Sequence, residues 1–65
     1  MNEYVISKSF IPSDKEAWIM SGKAESAEEF ANNEMIEGFD MYVSPTDVAF
    51  VKYPTGESYM IFRIE

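Results

Sequence analysis

At Ser26 the hydrophobic period of the sequence changes, and that change limits the folds open to the chain more than any other feature. Upstream, Glu3 to Phe10 carries β-branched and aromatic residues (Tyr4, Val5, Ile6, Phe10) in a loose apolar–polar alternation, the mark of a strand. From Ser26 onward, Ala27, Phe30, Ala31, Glu34 and Met35 follow the three-and-four spacing of one helical face. Ser26 with Glu29 forms a capping box at the start, and Gly38 stands where a left-handed residue is expected to close the last turn. The sequence therefore predicts one amphipathic helix set among strands.

Lys15 to Ala24 supports two readings. Ser13 and Glu16 could cap a two-turn helix through Ala17, Trp18, Ile19 and Met20, whereas Trp18, Met20 and Ala24 also fall at strand spacing. The strand, pairing back onto the first, is favoured because so short a helix is marginal alone. Ile11-Pro12-Ser13-Asp14 reads as a turn. After the helix come a short strand over Phe39 to Val43 and a turn at Ser44-Pro45-Thr46-Asp47. Two clearer strands follow, Val48 to Tyr53 and Ser58 to Ile64, joined by Pro54-Thr55-Gly56-Glu57, whose glycine supplies a positive φ. The order ββαβββ predicts an α+β fold, a small antiparallel sheet with one α-helix packed on one face. In the last strand Met60, Phe62 and Ile64 share one face and Tyr59, Ile61 and Arg63 the other. The expectation is that Tyr59 and Ile61 are left on the uncovered face, where they would serve a dimer or a partner.

The chain has 65 residues and neither Cys nor His. That length predicts a single domain over residues 1–65 with a thin stability margin, because a chain of about 60 residues buries only about 60% of its unfolded surface. Without Cys or His no disulfide, zinc or iron–sulfur staple is expected, so packing alone must hold the fold, and no cofactor or metal is implied. A hydrophobic fraction of 46% is too high for a disordered acidic tail. The N-terminal Met1-Asn2-Glu3-Tyr4 shows no basic segment leading into an apolar run, so neither signal peptide nor membrane span is expected, and the cytoplasm is the expected location. A net charge of −7 argues against direct contact with nucleic acid or anionic lipid.

Charge is distributed unevenly. Glu25, Glu28, Glu29, Glu34, Glu37, Asp40 and Asp47 occur without an intervening Lys or Arg; Lys8, Lys15 and Lys23 precede them and Lys52 and Arg63 follow. These seven acids are the expected partner-binding residues. On a helix rising about 1.5 Å per residue, Glu25 to Glu37 would span roughly 18 Å with a carboxylate about every 3.6 Å, close to the roughly 3.4 Å phosphate spacing of one DNA strand. Such a face suits a Lys- and Arg-lined groove built for nucleic acid. An ordinary solvated helix face is the competing explanation, but solvated helices usually intersperse both signs, and like charges at Glu25–Glu28 and Glu25–Glu29 cost a few tenths of a kcal/mol each.

Catalysis finds little support. There is no His to act as a base near neutral pH, no Cys nucleophile, and Gly22, Gly38 and Gly56 are too dispersed for a phosphate loop. Asp40 and Asp47 lack the spacing of a calcium loop. Trp18 is expected in the core or at its edge.

In size, charge and lack of catalytic groups, and in the Glu25–Asp47 cluster, the chain is similar to the small acidic inhibitors of bacteriophages and mobile elements. These include anti-CRISPR and anti-restriction proteins, several of which mimic DNA. The resemblance implies an inhibitor that binds a basic nucleic-acid-handling protein or complex, such as a CRISPR–Cas effector, in the host cytoplasm. The alternative is a housekeeping interaction domain or small regulator, monomer or homodimer, that uses an apolar sheet face.

Overall fold

The computed structural model describes residues 1–64. Five strands, β1 (Asn2–Ser7), β2 (Trp18–Ala24), β3 (Asp40–Ser44), β4 (Val48–Lys52) and β5 (Ser58–Arg63), form one antiparallel sheet in the order β2-β1-β5-β4-β3. One helix, α1 (Ala27–Glu34), lies on one face, giving the α+β arrangement read from the sequence. β5 sits at the centre, and β1, paired with β2 on one side and β5 on the other, ends in four consecutive buried residues, Tyr4, Val5, Ile6 and Ser7.

The ambiguous segment resolves mainly as strand. A single 3-10 turn at Lys15–Ala17 leads directly into β2, which pairs with β1 from Asn2↔Ala24 to Ser7↔Trp18, with an irregularity between Ile6 and Ser7. No side chain caps that turn, whose N-cap residue is Asp14 rather than Ser13, and the pairing with β1 then takes over, since strand hydrogen bonds are available there and further helix would forgo them.

The helix side holds the main core. Tyr4, Ile6, Ala49, Val51 and Ile61 from the sheet meet Ala27, Phe30 and Ala31 of α1. Burying one Phe side chain contributes about 1.5–3 kcal/mol, so Phe30, 2% exposed, is a principal attachment of the helix to the sheet. Gly22 makes that attachment possible: a Cβ there would lie 2.8 Å from Phe30 Cε1. Its role is close packing.

The expected assignment of faces in β5 is reversed. Tyr59 and Ile61 belong to the helix-covered core, whereas Met60 and Phe62 join Val5 in a second cluster on the other face, flanked by Trp18, Val48, Phe50 and Ile64. That face is also largely closed, by the chain itself. Trp18 packs edge-on to Phe62 at 5.9 Å, Lys15 Nζ stands 5.8 Å from the Trp18 ring, and Phe10 packs edge-on to Phe50 at 5.7 Å. Apolar alternation shows that two faces exist but not which of them the helix chooses; Gly22 and the small residues Ala24 and Ala49 on the helix side decide it by permitting close approach.

The helix is shorter than the sequence suggested. It ends at Glu34, the following Met35 is extended (φ −88°, ψ 146°), and Gly38, although at φ +105°, lies beyond it in the loop to β3. Gly38 therefore shapes the loop rather than capping the helix.

Candidate functional site

The seven acids do not form one surface. Their positions follow from what α1 and the two hairpins require locally.

At its N-terminus, α1 is capped as the sequence predicted: the Glu29 N–H donates to Ser26 Oγ at 3.1 Å. The return bond of the capping box goes one residue further back, the Glu25 N–H donating to Glu29 Oε1 at 3.0 Å. Glu29 thus has an internal use that offsets the repulsion it meets from Glu25. A third contact closes the same end. The Ala27 N–H donates to Asp47 Oδ1 at 2.9 Å, while the Tyr4 hydroxyl donates to Asp47 Oδ2. Asp47 therefore ties the β3–β4 turn, strand β1 and the first turn of the helix together. Burial first, and the hydrogen bond to Asp47 second, raise the Tyr4 phenol above its ordinary 10.0.

This corrects the expectation for Asp47, since both its oxygens are engaged inside the fold and leave it a poor partner-binding residue. Asp40 is separated from the others as well. Its neighbour Met41 packs toward the helix-side core, and Asp40 is in register with Lys52 on the other face. The pattern that links the seven in sequence is interrupted in space because the chain enters a strand at Asp40, where successive side chains alternate between faces.

Glu25, Glu28, Glu34 and Glu37 remain exposed on and beside the helix. The register places Lys23, opposite Glu3, and Lys52 on the other face of the sheet, and Lys15 stands over Trp18 there. Arg63, in register with Tyr4, belongs to the helix side.

A groove opens at the C-terminal end of α1, with a volume of about 360 Å³. Ile19, Met35, Ile36, Tyr53 and Tyr59 supply its apolar lining. Glu34, Glu37 and Glu57 surround it. The Tyr53 and Tyr59 rings meet at 86° with centroids 6.1 Å apart, and the Tyr53 hydroxyl donates to the Ile36 carbonyl at 2.7 Å, which fixes the turn after the helix. Ile36 is 81% exposed and Ile19 52%. Sequence reasoning did not find this groove. Its signal was an isoleucine, Ile36, standing between Glu34 and Glu37 just past the helical period, where no core position remains for it.

A second concavity, about 350 Å³, lies on the other face at the β3 edge, where Phe10 and Tyr42 flank Phe50 beside Asp40 and Lys52. Tyr42 is 63% exposed and stacks on Phe50 at 6.3 Å.

Among the described residues no cluster of three or more potential ligands could hold a metal ion, and no helix is long and apolar enough to cross a membrane. Comparison of the chain with protein-family models, curated proteins and solved structures finds no match.

Proposed function

We propose that this protein is a small acidic inhibitor that binds a basic nucleic-acid-handling protein or complex through the helix side of the fold and blocks access of DNA or RNA. One observation carries the reading: Glu25, Glu28, Glu34 and Glu37 stand exposed on and beside the helix, while Lys23 and Lys52 lie on the opposite face of the sheet, in register with Glu3 and Asp40, and Arg63 belongs to the helix side. Four exposed carboxylates on and beside one helix concentrate negative charge there, which steers association with a positive surface and makes it salt-sensitive. The seven acids of the original pattern reduce to a smaller set, because Asp47 and Glu29 have internal partners and Asp40 lies on the far face.

The test is displacement of labelled DNA or RNA from candidate nucleic-acid-handling complexes, CRISPR–Cas effectors first, by the intact chain. Inhibition that weakens with salt and is lost in the Glu25→Gln/Glu28→Gln/Glu34→Gln/Glu37→Gln variant supports the reading. Inhibition unchanged in that folded variant rejects it.

A second reading draws on the exposed Phe10 and Tyr42 beside Phe50. Here the protein is a small homodimeric regulator that associates at the β3 edge, in place of the Tyr59 and Ile61 face expected from sequence. Sedimentation equilibrium separates the two: a monomer at high micromolar concentration, unchanged by Tyr42→Ser, counts against the dimer.

A further inference from the structure

The groove at the C-terminal end of α1 has a composition that selects an occupant. Its lining combines exposed isoleucine, methionine and two tyrosine rings with three surrounding carboxylates, and among the described residues no Lys or Arg lines it. Lys8 is the basic residue found nearby, in an adjoining dent beyond Glu57 and Tyr59. An anionic ligand would meet three like charges. A second copy of this chain would bring a net charge of −7 and the same acidic surround to the contact. A purely apolar segment would strip water from the carboxylates without pairing them, at a cost that its own burial must first offset.

We infer that this groove anchors a cationic side chain of the partner, an arginine or a lysine presented by a basic segment; the inference rests on the reading of a basic partner given above. An alkyl stem of three or four carbons can lie along Ile19, Ile36 and Met35, as such stems do on apolar surface, with the charged head held toward Glu34, Glu37 and Glu57. Tyr53 and Tyr59 both line the groove, so a cation held there meets aromatic surface. Arginine is the better occupant, because its guanidinium is more weakly hydrated than an ammonium, stacks on aromatic rings and engages carboxylates through two parallel hydrogen bonds.

Isotope-labelled intact chain titrated at low salt with the peptide acetyl-Leu-Arg-Arg-Leu-amide, followed by amide resonances, tests the inference. The expected shifts centre on Ile19, Ile36, Tyr53 and Tyr59; the lysine version binds more weakly, and the glutamine version produces no shift. Ile36→Ser and, separately, Glu34→Gln/Glu37→Gln are each expected to weaken binding about tenfold, a difference of about 1.4 kcal/mol. Both alter exposed side chains, so the fold is expected to persist, and unchanged shifts for core residues such as Ile61 verify this. Asp14→Asn/Glu16→Gln removes the same charge elsewhere and is expected to change affinity less than twofold.

Shifts centred on Glu25 and Glu28, or Arg-peptide affinity unaltered in Ile36→Ser, overturn the groove as anchor while leaving the acidic helix side free to act as proposed. Concentration-dependent shifts at Ile19 and Ile36 without peptide overturn it in favour of a second copy. Conversely, peptide binding in the groove by a chain that displaces nucleic acid from no target would reject the inhibitor reading alone.

Discussion

The two hairpin turns at opposite ends of β4 are built alike around a Pro-Thr pair and differ most consequentially at their fourth residue. In Ser44-Pro45-Thr46-Asp47 the Asp47 N–H donates to the Ser44 carbonyl at 3.1 Å, and in Tyr53-Pro54-Thr55-Gly56 the Gly56 N–H donates to the Tyr53 carbonyl at 2.9 Å. The fourth residue of each has a positive φ, +64° for Asp47 and +97° for Gly56. Glycine adopts that conformation freely, whereas a residue with a Cβ does so at a cost of about 1–2 kcal/mol, reduced for Asp. The less favourable residue occupies the turn whose side chain is used: Asp47 accepts from Tyr4 and from Ala27, closing the N-terminal end of α1. The Gly56 turn offers no such side chain, and the end of the helix near it stays open as the groove beside Tyr53 and Glu57. Chemically similar carboxylates therefore serve two ends differently, one as an internal clamp and the others as surface charge.

Exchanging the residues is the strongest way to break the comparison. Asp47→Gly keeps the turn but leaves the Tyr4 hydroxyl and the Ala27 N–H without their acceptor, so a loss of about 2–3 kcal/mol in urea unfolding is expected. Gly56→Asp should cost about 1 kcal/mol or less, since only the backbone preference changes. Equal losses would show that the carboxylate contributes nothing beyond turn geometry.

Gly22→Ala sharpens the account of the closed core. The added methyl would overlap Phe30, and a destabilisation of about 1–2 kcal/mol is expected. Combining it with Phe30→Leu should give a smaller loss than the two single changes added together. Strict additivity would mean that the clash is not the cause.

A smaller effect is expected at Tyr4. Because its folded pKa is raised above 10.0, the unfolded chain loses this proton before the folded one does. The associated stability is fully present below about pH 10 and is lost as pH rises through the folded value. Tyr4→Phe should be about 1 kcal/mol less stable near neutral pH and should show a shallower decline above pH 10. An identical alkaline profile in the two proteins would remove Tyr4 as its source. The least effect on stability belongs to the open end: Ile36→Ser should lie within about 0.5 kcal/mol of the parent, because Ile36 is exposed.

Much of the fold was legible because local signals agreed with one another. Ser26 and Glu29 located the start of the helix, Ala27, Phe30 and Ala31 its buried face, and the two Pro-Thr turns the last hairpins. The end of the helix was misread because Gly38 suits a cap and a loop equally, and the sequence contains no measure of where Met35 must leave the helix to reach the core. The functional pattern was legible in charge but not in arrangement. Seven acids in sequence do not reveal that Asp47 is held by Tyr4, forty-three residues away, or that Asp40 falls on the opposite face. Long-range pairing sets those facts, and periodicity within one segment carries no information about them. The groove was missed for the same reason, since Ile19, Ile36 and Tyr59 come from three separate parts of the chain.

The central claim is that outward carboxylates on the helix side, and not the clamp at Asp47, meet a basic partner. Its most direct measurement is the salt dependence of inhibition of a nucleic-acid-handling complex by the parent chain and by the Glu25→Gln/Glu28→Gln/Glu34→Gln/Glu37→Gln variant. The account predicts at least about tenfold weaker inhibition by the variant at low salt, with the two converging as salt screens the charges. Equal potency of the two folded proteins across the salt range would contradict it.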